Sequence, residues 1–180
     1  MIPIPNWCEN KLVVTGPREE LIRFATMGRG KSSYEEDGGE EVPLSCNSFV
    51  PMPKELERTT SPSPKPNKEL IKRYGADNWY DWHLRNWGSK WDLSNVTINT
   101  NMFHVNPKGN NKRVRRLMYG FDTAWSPPEP FIAKVGEMFP QLKFKLEYWE
   151  GGSAFRGVFI VENGQIIKNE TYTYSGKRGG

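Results

Sequence analysis

Catalysis or metal binding in this chain would have to start from very few groups. The histidines are His83 and His104, and the cysteines are Cys8 and Cys46. No CxxC spacing is present, so a structural zinc site would need all four side chains gathered from distant segments, whereas such sites normally use closely spaced pairs. An iron–sulfur cluster needs more thiolates than the chain owns. The expectation is no metal and no cofactor, with two reduced, buried thiols in a cytoplasmic protein. GxGxxG, GxxxxGK(S/T), GxSxG and HExxH are absent, which removes the standard phosphate cradles, the nucleophile elbow and the zinc-protease pair. Ser153, after Gly151-Gly152, has no histidine in a readable arrangement with it.

Three stretches remain. NWYDWHLRNWGSKWD, residues 78–92, carries Trp79, Trp82, His83, Trp87, Trp91 and Asp92. Helical spacing puts Trp79, Trp82, His83, Asn86 and Trp87 on one broad face, with Asp81 and Arg85 opposite. Such a stripe can stack bases with little sequence preference, or it can be core, which is the plainer reading. His83 as an acid or base would need a cleft and an orienting partner; Asp81, Asp92 and Asp122 are available. In FDTAWSPPEP, Asp122 suits a side-chain cap and Trp125 a strand-to-helix corner. Alternatively, Trp91, Trp125 and Trp149 line a groove with Asp92 and Asp122 at its rim, suited to a planar, nucleotide-like ligand. KGNNKRVRR carries Lys108, Lys112, Arg113, Arg115 and Arg116. On a hairpin tip these would grip phosphates in a salt-sensitive, sequence-independent way, or simply be solvated.

The elements that must position these residues follow from periodicity. Alternation from Cys8 to Thr15 reads as a strand, stopped at Gly16-Pro17. Leu21, Ile22, Phe24 and Ala25 give a short helix ending near Gly28. Residues 29–42 read as a charged loop, VPLSCNSFVPMP as room for one short strand, and residues 59–67 (TTSPSPKPN) as a proline-rich linker. Residues 67–88 are helical, with Gly75 ending one helix, Asn78 capping the next and Gly88 stopping it. Asn95 to Phe103 and Leu117 to Phe121 form a hairpin with a long tip. Phe131, Ile132, Val135, Met138 and Phe139 share a helix face, and Pro140 closes it. Leu142 to Trp149 is a half-buried strand, and Phe155 to Val161 another. Asn163-Gly164 is a type I′ turn into a last strand, Ile166 to Tyr174.

In order this is β-α-insertion-β-β-α-β with one further hairpin strand. The fold class is therefore α+β: a ferredoxin-like split βαβ sandwich, an antiparallel sheet under two covering helices. Residues 1–180 form one domain, with residues 29–92 as a large insertion after the first helix. Mean hydropathy is −0.71 and no stretch is long enough to span a bilayer. MIPIPNWCEN lacks the marks of a secretory signal. A net charge of +4 permits contact with nucleic acid without requiring it.

PNWCENKLVVTGP, FVPMP, WYDWHLRNWGSKWD, FDTAWSPPEP and AFRGVFIVENG resemble, in this order and over nearly the whole chain, the YubB ferredoxin-like domain family, largely uncharacterised proteins of bacteria, plasmids and phages. The resemblance implies the fold and a mobile-element context, and brings no catalytic residues. The first expectation is a non-catalytic module that contacts an unknown protein partner through the aromatic insertion and the sheet edge. The alternatives are single-stranded nucleic-acid or nucleotide binding through the basic tip and aromatic groove, and an enzyme with a site near His83 and Asp122.

Overall fold

The structure is a computed structural model, and it describes residues 5–31, 39–99 and 116–174. In chain order the elements are β1 (Trp7–Thr15), α1 (Arg18–Gly28), β2 (Gly30–Lys31), β3 (Glu41–Val42), α2 (Cys46–Phe49), a 3-10 turn at Lys54–Leu56, α3 (Lys68–Tyr74) and α4 (Trp79–Asn86). They continue with β4 (Ser94–Ile98), β5 (Arg116–Ala124), α5 (Glu129–Met138), β6 (Lys143–Glu150), β7 (Phe155–Glu162) and β8 (Gln165–Thr173).

Six strands form one sheet in the order β4-β5-β1-β6-β7-β8, and every pairing is antiparallel. The first four follow the split βαβ order, with the outer hairpin strand, its partner, the first strand and the strand after the second helix side by side. β7 and β8 extend that sheet at one end, through a turn in which Asn163 and Gly164 have φ of 52° and 70°, as a type I′ turn requires.

Alternation decides the two faces. Leu12 and Val14 of β1, Leu117, Tyr119 and Phe121 of β5, Phe144 and Leu146 of β6, and Phe159 and Val161 of β7 are buried. They face α1, through Leu21, Phe24 and Ala25, and α5, through Phe131, Ile132 and Val135. Gly136 lets α5 seat on β7, because a Cβ there would overlap Val161. The opposite face carries Lys11, Lys145, Glu147, Trp149, Arg156 and Tyr172, and no described helix covers it.

Between α1 and β4 the sequence expectations need correction in two places. The stretch expected to hold a short strand forms α2 instead. Its N-terminal N–H groups are met by Asp92, distant in sequence: the buried Cys46 N–H donates at 2.6 Å and Asn47 N–H at 3.2 Å. The loop expected at 29–42 contains a two-residue ribbon, with Gly30 opposite Val42 and Lys31 opposite Glu41. The helical stretch further on forms as its caps dictate. Asn67 accepts from Glu69 N–H and Leu70 N–H, and Gly75 ends α3 at φ 77°. Asn78 accepts from Asp81 N–H at 2.9 Å and donates back to the Asp81 carboxylate at 2.7 Å, a reciprocal cap close to a capping box.

Candidate functional site

Two concavities hold most of the aromatic residues in question. The first lies in the tryptophan region, about 420 Å³, lined by Trp79, His83, Trp87, Trp91 and Asp92 together with Met52, Lys54 and Glu57. Trp82 and Trp87 are 5% and 2% exposed, so this half of the stripe is core. The Trp87 indole N–H donates to the Val50 carbonyl at 2.9 Å, pinning α4 to the segment after α2. The His83 ring stacks on Trp87 with centroids 4.0 Å apart and planes at 17°. Trp79 and Trp82 meet it nearly edge-on at 5.5 and 5.9 Å.

This packing fixes the chemistry of His83. Nδ1 lies 2.8 Å from the Lys90 carbonyl, which can only accept, so Nδ1 carries the proton. Nε2 is then a bare acceptor, buried and without a hydrogen-bond partner among the described residues. Burial lowers the His83 pKa below the usual histidine value, opposed by the Lys90 carbonyl and the Asp92 charge. The ring is neutral at pH 7, and its one basic nitrogen is closed off from solvent.

Asp92 is equally committed. Its carboxylate accepts from the Ser45 hydroxyl at 2.7 Å, Cys46 N–H at 2.6 Å, Asn47 N–H at 3.2 Å and Leu93 N–H at 2.7 Å. Four donors on one buried carboxylate make a structural hub rather than a general base. The thiols are no more reactive. Burial, only partly offset by the Thr123 hydroxyl, pushes Cys8 up to about 12. Burial and the neighbouring Asp92 raise Cys46 well above the ordinary thiol range. Both cysteines are free and buried. Among the described residues, no three of His, Cys, Asp and Glu gather as metal ligands would.

The second concavity lies on the helix-free face of the sheet, about 590 Å³, lined by Lys11, Glu147, Trp149, Arg156, Val158, Tyr172 and Tyr174, with Tyr148 and Gly157 beneath. Strand register assembles it. Trp149 of β6 stands opposite Glu9 of β1 and Arg156 of β7, and Arg156 stands opposite Tyr172 of β8. The Arg156 guanidinium lies 5.9 Å from the Tyr172 ring centroid, within cation–π range. Gly157 is required below: a Cβ would strike the Tyr148 hydroxyl, which reaches the Thr171 hydroxyl at 2.9 Å. Ion pairs Lys143–Glu162, Lys145–Glu147 and Lys168–Glu170, at 3.2, 3.0 and 3.0 Å, balance much of the charge on this face. Among the described residues, Lys11 and Arg156 have no carboxylate within ion-pair distance.

The groove expected from Trp91, Trp125 and Trp149 does not assemble. Trp91 lines the first concavity, and its ring lies 6.3 Å from that of Trp7, the first residue of β1. Trp149 lines the second. Trp125 sits at φ 73°, 46% exposed, and lines neither. Asp122 does not cap the corner after β5; Thr123 does, its hydroxyl donating to the Ser126 carbonyl at 2.7 Å. Asp122 instead accepts from the Asn95 amide at 2.8 Å on the exposed side of β5, so it is paired with β4 rather than with His83. Arg116 opens β5 and is exposed. Lys108, Lys112, Arg113 and Arg115 lie outside the described residues. Lys11, Arg156, Tyr172 and Tyr174 were not singled out in the sequence. Their only signal is their place on the polar side of alternating strands, and that side gains meaning only once strand order is known.

Residues 103–176 match the model of a family described as the ferredoxin-like domain in Api92-like protein. Among solved structures, the chain is similar to the crystal structure of protein Api92 from Yersinia pseudotuberculosis, with a TM-score of 0.57 over 97% of this chain and 100% of that one, at 10% identity. At that identity the likeness is one of fold, and the fold is the ferredoxin-like sandwich with mixed α and β content. No curated protein matches the sequence. No described helix is long and apolar enough to cross a membrane.

Proposed function

We propose that the chain is a non-catalytic binding module whose working surface is the helix-free face of the sheet, and that its partner is a protein. The observation that carries this reading is the Trp149–Arg156–Tyr172 row. Trp, Arg and Tyr are the side chains that most often dominate protein–protein binding energy, and here they line one groove on a face where most other charges are paired. The neutral, closed-off His83, the saturated Asp92 and the protonated thiols support a binding rather than a catalytic role. The aromatic insertion contributes less surface than its composition suggests, because Trp82 and Trp87 are core. A cytoplasmic setting, a phage or plasmid origin and a place beside the YubB proteins belong to the same proposal and rest on the resemblance of sequence motifs.

A second reading is favoured by Lys11 and Arg156, two cations without carboxylate partners among the described residues, beside aromatic rings on a sheet whose β5 begins at the basic stretch 108–116. Single-stranded nucleic acid would use such a face by stacking and phosphate contact.

A photo-crosslinking residue at Tyr172, exposed in the producing cell, separates the two. The protein reading expects a discrete protein adduct that disappears in a W149A/R156A background and does not form when the probe is placed at Arg23 on α1. An adduct sensitive to nuclease, together with binding of a short single-stranded oligonucleotide that weakens steeply with salt, would replace it with the nucleic-acid reading. No adduct of either kind would refute both.

A further inference from the structure

β8 is an edge strand of the six-stranded sheet, and β7 is its one strand partner among the described residues. It is long and almost wholly exposed, with Ile166, Ile167 and Tyr172 at 56%, 53% and 47%. A long edge with free backbone donors and acceptors and exposed apolar side chains is a template for another strand unless charge or shape forbids the pairing. The charges on β8 forbid some registers and favour one.

Lys168 and Glu170 project on the helix-free side, opposite Ile160 and Val158 of β7. Consider two copies paired edge to edge about a two-fold axis perpendicular to the sheet. Facing residues must then share a side, so the axis passes through a residue. Centred on Lys168, two lysines oppose each other; centred on Glu170, two glutamates do. Like charges directly opposite destabilise an antiparallel pair. Centred on Asn169, Lys168 faces Glu170 of the second copy and Glu170 faces Lys168 of the second copy. Ile167 then faces Thr171 of the second copy. The register shift between Ile160 and Val161 makes Ile167 the extra residue of β8, so the Ile167–Thr171 pair marks each end of the seam.

We propose that the chain self-associates through β8, antiparallel and centred on Asn169, joining two sheets into one. This is independent of which partner the helix-free face binds. A seam of one strand buries less than the roughly 1,200 Å² at which standard interfaces begin, so the dimer dissociates on dilution. Because the axis is perpendicular to the sheet, both grooves lie on the same side, with the two copies of Tyr172 about 20 Å apart along the seam at ~3.3 Å per residue.

The test is sedimentation equilibrium on the full chain over a wide concentration range, with melting curves as a control for folding. The wild type is expected to pass from the 20.8 kDa monomer to a dimer as concentration rises. K168E, which opposes glutamate with glutamate twice per dimer, is expected to weaken association by about tenfold or more. K168E/E170K is expected to restore it. E170K reads the same contact from the other side and serves if K168E folds poorly. N169C is expected to give a disulfide-linked dimer on mild oxidation, with Cys8 and Cys46 buried and silent. A wild type that stays monomeric throughout overturns the proposal. So does a dimer that neither single reversal weakens, or one that the double reversal fails to restore.

Discussion

Asp92 is the side chain whose loss should cost the fold most for its size, and replacing it with alanine tests that. The residue is 6% exposed and ties the start of β4 to the start of α2. Removing the carboxylate leaves the N–H groups of Cys46 and Leu93, both in buried residues, without an acceptor. The Ser45 hydroxyl can rotate, and Asn47 is exposed enough for water to replace its bond. Each stranded buried donor costs about 1–3 kcal/mol. Relief of the carboxylate's own desolvation returns part of this, so D92A should destabilise by about 3 kcal/mol. For a chain of this length that corresponds to a fall in melting temperature of about 6–12 °C.

Urea unfolding followed by far-ultraviolet circular dichroism gives the number directly, provided that the slope with denaturant is unchanged. D92N keeps one acceptor oxygen but turns an amide N–H toward the remaining donors, so it should fall between alanine and wild type. S45A removes one partner and leaves the backbone donors served, and should cost about 1 kcal/mol. A D92A variant within about 1 kcal/mol of wild type would refute the view that one carboxylate organises the junction.

Three further perturbations bear on the same structure. Because burial lowers the folded pKa of His83, the unfolded chain binds a proton first as pH falls; stability is therefore intact above the ordinary histidine value near 6.5 and declines below it until the folded pKa is reached. Melting curves from pH 7.5 downward (about one unit either side of that value) should show this decline in wild type and a shallower one in H83Q; equal slopes would show that His83 does not titrate differentially. G136A should cost about 1–3 kcal/mol, since the new methyl must displace Val161 from a filled seam, and chemical denaturation showing no loss would mean that α5 sits further from β7. W149A and Y172A should leave stability within about 1 kcal/mol of wild type while removing any ligand of the groove; a large loss of stability in either would make the row structural rather than available.

The parts of the fold written in local sequence were the ones that could be read. β1 and β6 alternate because one side is core and the other is solvent, and α5 repeats its apolar residues at the helical period. Asn78 and Gly75 act within a few residues of where they stand. α2 was misread because its decisive partner, Asp92, lies outside its neighbourhood. The groove expected from Trp91, Trp125 and Trp149 failed for the same reason. Three tryptophans on three segments converge only if backbone direction allows it, and a positive φ at Trp125 turns that ring outward. The groove on the sheet was hidden because Trp149, Arg156 and Tyr172 become neighbours only through register across β6, β7 and β8.

The segment between α1 and β4 explains why the aromatic wealth of this chain does not translate into an open aromatic surface. Phe49 of α2 stacks on Phe24 of α1 at 5.0 Å and meets Phe131 and Phe139 at 5.9 Å, so this segment completes the layer that α1 and α5 leave unfilled. Trp87 then anchors α4 behind it through the Val50 carbonyl. A two-helix cover over a sheet widened to six strands leaves apolar area at its margins, and large rings fill such margins with few residues. The tryptophan stripe is thus largely spent on the helical side. Trp149, Tyr172 and Tyr174 gather on the helix-free face, with β8 exposed at its margin, while Trp125 is exposed apart from them after β5. Those surfaces adjoin at Tyr172, which lines the groove and lies on the edge strand. A partner gripping Tyr172 and a second copy pairing along β8 would therefore influence each other, and binding to one surface should change occupancy of the other in a reciprocal way.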